Sequence, residues 1–375
     1  MISLTNVTVS GEETAALLES IVPAQGGVVV HISESFGGGV AAAIKDYVRN
    51  SPSFSHELIC ATRADAPLGT DSLEGFTQVR QMPDGHLRRI SYLRKVAARS
   101  DVALIHAHSS FGGFYARLAF KKTKIRPIIY TPHCYGFQRR DIGILKRTLI
   151  WITEAALSMN TSVTAGCSHN EVRASRWFSS VKRMVPNVTP PASDDLDYAR
   201  KPTSPGAALR IAGAGRLTAQ KDPTFFVAAK MQCESLKVST DFVWIGGGTE
   251  DDEMFMRDHG IRVTGWLSRK AAGIEMSEAD IYLHSASWEG FPIAVLEAVA
   301  CGTPTITRSI KAFEGVALGC SIEEPSQVPR ALLSLVDDEA RLDLLARQRL
   351  ALGSNSNSRQ AAVLAQIYKG DPDGR

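Results

Sequence analysis

No stretch of this 375-residue chain reaches the roughly 20 consecutive apolar residues that a membrane-spanning helix requires. The N-terminus lacks the basic-then-apolar order of a secretory signal, so a cytoplasmic protein is expected. The six cysteines, Cys60, Cys134, Cys167, Cys233, Cys301 and Cys320, are scattered without a C-x-x-C pair. That spacing argues against a disulfide scaffold or a zinc ribbon and suits thiols in a reducing compartment. Carboxylates spaced as metal ligands are also missing, since Asp195-Leu196-Asp197 falls in a polar, proline-rich stretch. No metal or resident cofactor is expected. Aromatic residues are 7% of the chain, and its basic segments lack the interleaved aromatic platform of a nucleic-acid binder.

What is present is an ordinary globular composition, 44% hydrophobic and 22% charged, long enough for two domains. The net charge of +3 conceals an asymmetry. Residues 1–190 hold 22 Lys and Arg against 14 Asp and Glu, whereas residues 191–375 hold 20 against 25. The excess sits in residues 80–150, in the bursts 86–99, 121–126 and 139–147. In the first burst Leu87, Ile90, Tyr92 and Leu93 fall at helical spacing among the arginines, a basic amphipathic helix whose stripe is expected to pack on a core. An anionic membrane surface or a phosphate-bearing acceptor fits the remaining charge.

Both halves alternate short apolar runs with helix-length segments, the signature of an α/β fold with parallel sheets. In the first half the runs are Val28–Ser33, Glu57–Thr62, Val102–His106, Ile128–Thr131 and Ser162–Cys167, with a helix expected over Val40–Val48. In the second they are Ile211–Ala214, Phe242–Ile245, Arg262–Thr264, Ile281–His284 and Thr305–Thr307. Between them Asn187–Ala208 is rich in Pro, Ser and Asp and reads as a linker. Ser358–Tyr368 reads as a last helix open to either half. Two such lobes place a ligand cleft between the carboxyl ends of their sheets.

The most informative segment is Ala279–Thr305. A strand runs into Glu289-Gly290-Phe291-Pro292, and a helix carrying Glu297 follows, with the proline expected at its first position. Such a turn aims free backbone N–H groups and a helix dipole at one point, an anion site. Glu289 and Glu297 flank it, and carboxylates beside a phosphate cradle suit the hydroxyls of a sugar or ribose. Gly215-Arg216 and Lys221 follow a second strand and bring two cations to the same sheet end. Gly246-Gly247-Gly248 and Gly265-Trp266 end two more strands, where glycine lets a flat ring approach the backbone.

The order G-R-L-x(3)-K-D, I-G-G-G, V-T-G-W and E-G-F-P-x(4)-E-A resembles the donor half of GT-B retaining glycosyltransferases of sequence family 4, polysaccharide-assembly type. Gly37-Gly38-Gly39, His106-Ala107-His108 and Tyr130-Thr131-Pro132-His133 resemble the same family's acceptor half, so the likeness spans roughly residues 28–350. It implies two Rossmann-like domains facing a cleft. Residues 1–190 would bind the acceptor, 191–207 would link, 208–352 would bind the nucleotide-sugar donor, and 353–375 would form a terminal helix and tail that can cross back. It further implies that Arg216 and Lys221 neutralise the departing diphosphate, and that the amides of Gly290, Phe291 and Ile293 bind its distal phosphate or the sugar. Glu289 would hold the sugar's hydroxyls, Glu297 those of the ribose, and Gly265 and Trp266 the base, with Gly215 freeing the turn. Gly38 and Gly39 would approach the diphosphate from the facing lobe, His133 the transferred sugar, and His108 the acceptor. The activity implied is hexose transfer from UDP- or GDP-sugar, without metal, to a lipid-linked or other polysaccharide-precursor acceptor, by a peripheral protein at the inner face of the cell membrane. A nucleotide-sugar 2-epimerase and a non-catalytic sugar-nucleotide-binding protein share the architecture and stand as alternatives. The Gly37-Gly38-Gly39 turn does not match the G-x-G-x-x-G spacing of a dinucleotide-dependent oxidoreductase. The chain departs from the family after Asn187, where Val188-Thr189 replaces Gly and an acidic residue, and at Cys134, where a small residue is usual.

Overall fold

The computed structural model describes residues 26–61, 73–175, 177, 180–190 and 207–369. The expected linker 191–207, apart from its last residue, lies outside the described residues, as do Asp195, Asp197 and the first 25 positions. The N-terminal lobe is a seven-stranded sheet in the order β3-β2-β1-β4-β5-β6-β7. Its strands are β1 (Val28–Ser33), β2 (Ser55–Cys60), β3 (Gln78–Gln81), β4 (Val102–His108), β5 (Ile128–Thr131), β6 (Val163–Gly166) and β7 (Val181–Met184). The C-terminal lobe is a six-stranded sheet in the order β10-β9-β8-β11-β12-β13. It is built from β8 (Leu209–Ala214), β9 (Thr240–Ile245), β10 (Arg262–Val263), β11 (Ile281–His284), β12 (Thr305–Arg308) and β13 (Ser321–Ile322). Every named strand pair is parallel. Parallel strands are covered by helices on both faces, which is why β1 and β5 read as unbroken apolar runs rather than alternating ones.

In each sheet the strand order reverses beside the first strand, between β1 and β4 and between β8 and β11. Ligand crevices form at such switch points, outside the carboxyl ends of the strands. The two-Rossmann-domain architecture expected of the sequence is therefore present. Strands β3, β7 and β13 were not expected. They are edge strands, only part-buried in β3 and β7, whose polar residues carry no apolar signal.

Three expectations need correction. The Val40–Val48 helix begins two residues earlier, spanning Gly38–Arg49, so Gly38 and Gly39 are its first turn and not a loop before it. The basic helix spans His86–Ala97 and buries Leu93 and Val96, but Leu87 points outward, 82% exposed. Pro292 is the N-cap of the helix Ile293–Ala300 rather than its first residue.

The terminal helix, Asn357–Tyr368, belongs to the N-terminal lobe. Val363, Leu364, Ile367 and Tyr368 share one apolar cluster with Val29, Tyr47, Phe54 and Leu104. Asn50 donates to Asn357 and Gln360, and Gln360 donates to Pro186 O at 2.8 Å. The chain thus crosses from lobe to lobe twice, and the start of the expected linker is clamped: Asn187 donates to Phe291 O at 2.8 Å and accepts from Asn355 at 2.8 Å.

Because Leu364 is fully buried in that cluster, Leu364→Ala should lower the unfolding free energy by about 2–5 kcal/mol in denaturant titration. A loss below about 1 kcal/mol would mean that the helix adds little to the lobe's core.

Candidate active site

After His284 the strand β11 gives way to the loop Ser285–Pro292, which Ser285 and Ser287 tie to the loop after β8 at three points. Ser285 Oγ donates to Lys221 O at 2.7 Å, and Ser287 N donates to Gln220 O at 2.9 Å. Asp222 Oδ2 accepts from Ser287 Oγ at 2.8 Å and from the Arg308 guanidinium at 2.6 Å. Burial works against the Asp222 carboxylate, but hydrogen bonds from Thr224, Arg308 and Ser287 outweigh it and hold its pKa below the usual range. Asp222 also caps the helix Pro223–Ser235 by accepting from Phe225 N at 3.1 Å.

On this frame the expected donor residues converge. Glu289 Oε1 lies 2.6 Å from Lys221 Nζ, and Glu289 Oε2 accepts from Gln220 at 2.9 Å. Gly215 has φ +127, and a Cβ there would sit 2.8 Å from Lys221 Cε, so only glycine leaves the lysine its path. Arg216 stands over the Trp266 ring, 5.8 Å from its centroid, and Trp266 is 57% exposed. Gly246 and Gly265 form a bridge that brings the ends of β9 and β10 together. The helix Ile293–Ala300 has no side-chain cap and no acidic residue in its first turn, leaving that end to an anion. Glu297, on that helix, lies 3.5 Å from Arg269. Its pKa is raised by burial, with Arg269 opposing and Asp46 of the facing lobe adding to the rise.

The facing wall comes from the N-terminal lobe. A Cβ on Gly39 would meet Ile293 Cδ1 at 3.7 Å, so the first turns of two helices, one from each lobe, confront each other. His133 and Cys134, after β5, both adopt positive φ, +49 and +89. This strained turn is held by Glu171, whose carboxylate accepts from Cys134 N at 2.5 Å and from Cys167 N at 2.8 Å. Glu171 is completely buried, and burial raises its pKa. Gly290 is seated against this assembly: a Cβ there would meet Cys134 N at 2.8 Å and Glu171 Oε1 at 2.8 Å.

Behind His133 runs a chain of imidazoles. His133 Nε2 is 3.1 Å from His108 Nδ1, His108 Nε2 is 3.0 Å from His31 Nδ1, and His31 Nε2 is 3.0 Å from His56 Nδ1. His106 stacks beside them and bonds Tyr368 OH at 2.7 Å and Thr131 Oγ1 at 2.9 Å. The expected acceptor role of His108 is therefore corrected. It is 0% exposed and lies behind His133, where an incoming molecule does not reach it. Nitrogens of His31, His106 and His108 lie within 4.8 Å of one another, a grouping that can hold a metal. Each is already hydrogen-bonded, so an ion would have to displace those bonds.

Glu171, Gln220, Arg308, His31 and His56 were not anticipated from the sequence. The histidines did carry a signal, since a polar ring inside an apolar strand requires a buried partner. Glu171 carried none.

The profile of the family described as "Glycosyl transferases group 1" matches residues 208–338, and that of "Glycosyl transferase 4-like domain" matches residues 38–188. The chain is 25% identical over 299 residues to an uncharacterized 41.2 kDa protein in the cps region of Klebsiella pneumoniae, covering 77% of this chain and 82% of that one. It is 24% identical over 283 residues to the Escherichia coli UDP-Gal:alpha-D-GlcNAc-diphosphoundecaprenol alpha-1,3-galactosyltransferase, covering 68% and 71%. The structure of HepE from Anabaena in complex with UDP and glucose superimposes with a TM-score of 0.70 at 14% identity, covering 92% of this chain and 99% of that one. Two lobes, one matched by the group 1 profile and the other by the 4-like profile and facing each other across the Lys221–Glu289 cleft, place this chain among the glycosyltransferases of GT-B fold.

Proposed function

We propose that this enzyme transfers a hexose, with retention, from UDP- or GDP-sugar to a lipid-linked or other polysaccharide-precursor acceptor at the cytoplasmic face of a membrane. The observation that carries the reading is the convergence of Lys221, Glu289 and the uncapped helix at Ile293 opposite His133. Breaking a sugar–phosphate bond leaves an oxocarbenium-like centre and an anionic diphosphate. Fixed cations and helix-end amides aimed at the leaving group supply the stabilisation. Arg216 and Lys221 take that role, with the amides of Gly290, Phe291 and Ile293 on the distal phosphate or sugar. Glu289 accepts from the sugar's hydroxyls, Glu297 from the ribose, and Gly265 and Trp266 line the base. The relative from Escherichia coli is named for a diphosphoundecaprenol-linked acceptor, and HepE was solved with UDP and glucose; both fit this reading.

The membrane part rests on the helix Ile144–Ser158. It follows closely on the His133 loop, and Arg147 donates to Phe137 O at 2.9 Å to hold the two together. Its buried face is narrow, and Ile144, Leu145, Leu149, Trp151 and Ile152 are each about half exposed or more, with Ile144 at 74%. Exposed Arg139, Arg140 and Lys146 stand at its start. At its end Asn160 accepts from Lys122 N at 2.8 Å, which brings in the Lys121–Lys124 loop. An apolar stripe with cations at both ends fits the interface of an anionic bilayer. Two of the three basic bursts, 121–126 and 139–147, thus border this helix.

Five outcomes follow. UDP or GDP should raise the thermal unfolding midpoint, and no response to any nucleoside diphosphate would overturn the reading. Lys221→Ala should weaken diphosphate binding about tenfold or more, from the loss of a charge-assisted contact. Glu289→Ala frees Lys221 for the diphosphate, so turnover should fall while nucleotide affinity holds or rises; the reverse pattern would reassign both residues. Sugar transfer should be unchanged by EDTA, and a loss restored by a divalent cation would show a metal requirement. Sedimentation with anionic vesicles should exceed that with neutral ones, and Leu149→Glu with Ile152→Glu should reduce it about tenfold.

A further inference from the structure

The imidazole chain behind His133 has a direction. Its far end is closed by Ser51, whose backbone O lies 3.1 Å from His56 Nε2. Ser51 Oγ donates its own proton to Tyr47 O at 2.5 Å, so toward His56, 3.3 Å away, it can only accept. His56 Nε2 therefore faces two acceptors and must carry the proton. Burial lowers the pKa of His56, His31 and His108, and that of His133 to about 3, which favours the neutral ring, with its single proton, along the whole hydrogen-bonded chain.

With one proton per ring, each link dictates the next. His56 Nδ1 is bare and accepts, so His31 Nε2 donates. His31 Nδ1 is then bare, and His108 Nε2 donates to it. His108 Nδ1 is bare in turn, and His133 Nε2 donates. Among the described residues His133 makes no other hydrogen bond, so its Nδ1 is left as an unprotonated acceptor on a partly exposed residue.

We infer that His56, His31 and His108 are positioning residues that lock His133 in the Nε2–H tautomer and thereby present a hydrogen-bond-accepting Nδ1 to a hydroxyl of the transferred sugar. The sugar as partner rests on the proposed function; the lock itself does not. The chain is a lock and not a proton exit. Moving a proton inward from His133 would leave an imidazolium at His56, which is 3% exposed and among the described residues has only Ser51 beyond it. Burial resists that charge.

The lock differs from a merely structural polar core in what it transmits. His56 is two links removed from His133, yet the His133 tautomer depends on it. Long-range 1H–15N correlation spectra of the intact protein read each ring's tautomer without any activity assay. All four rings should show protonated Nε2 and unprotonated Nδ1. Any ring in the Nδ1–H form would overturn the inference, and this measurement needs no variant to fold. His56→Leu removes the acceptor for His31 Nε2 and should make His133 a tautomer mixture. It should lower kcat about tenfold with KM for the donor within about twofold, since a wrong-tautomer histidine costs turnover and not ground-state binding. His56→Asn restores an acceptor at that point and should return the single tautomer and the greater part of the turnover. A single His133 tautomer in folded His56→Leu would overturn the lock. An intact lock with no effect of His133→Ala on transfer would instead remove the sugar as its partner and leave the tautomer assignment standing.

Discussion

The site depends on how closely two loops from different lobes approach at Gly290. A side chain there would collide with Cys134 N and with the carboxylate of Glu171, both 2.8 Å from where a Cβ would stand. Glu171 is what makes the approach reproducible, because it takes the amides of Cys134 and Cys167 and fixes a turn in which His133 and Cys134 both have positive φ. A buried carboxylate carries a desolvation cost, which two amide donors offset. The same small volume therefore sets where His133 points and where the helix Ile293–Ala300 begins. Asn187 and Asn355 brace it from the hinge side, and Cys167 and Phe291 share one apolar cluster that spans the lobes.

Charge is divided around this contact by function. Lys221 is paired with Glu289, and Arg308 with Asp222, so neither cation stands in an uncompensated field. Under the proposed function a diphosphate entering the cleft would compete with Glu289 for Lys221, and a sugar entering with it would offer Glu289 hydroxyls in exchange. On that reading the pair would be opened by both parts of a nucleotide sugar together more readily than by either alone. Arg308 is different: it lies over the Phe225 ring, 4.3 Å from its centroid, and bonds Ser285 O and Asp222, which makes it part of the scaffold.

Much of this was legible in the amino-acid order because it is written in local chemistry. The parallel sheets follow from short apolar runs such as Val28–Ser33, and the donor loop from a glycine-containing strand-to-helix turn with Lys221 and Glu289 at the same sheet end. What stayed hidden depends on contacts between distant segments. Glu171 sits 37 residues from Cys134, and no spacing rule connects them. The family resemblance assigned His108 to the acceptor, but the positive-φ turn places His133 in front of it. Edge strands such as Gln78–Gln81 need little apolar content, so periodicity passes over them. The outward apolar face of Ile144–Ser158 was masked for a related reason, since continuous hydrophobicity looks the same whether it is buried or exposed.

The neutrality of the histidine chain suits the cleft it serves. An imidazolium at His133 would compete with Arg216 and Lys221 for the diphosphate and draw the leaving group away from the uncapped helix end. Burial of the chain, closed at one end by Ser51 and bordered by Tyr368 from the terminal helix, keeps that cation from forming. At the cleft itself the cations Arg216 and Lys221 then stand on the C-terminal lobe, while the His133 wall facing them is polar but uncharged. This division also gives the terminal helix a reason to cross back. By capping His106 through Tyr368, it seals the interior that keeps the chain neutral, and so the last helix of the sequence conditions the chemistry of its first lobe.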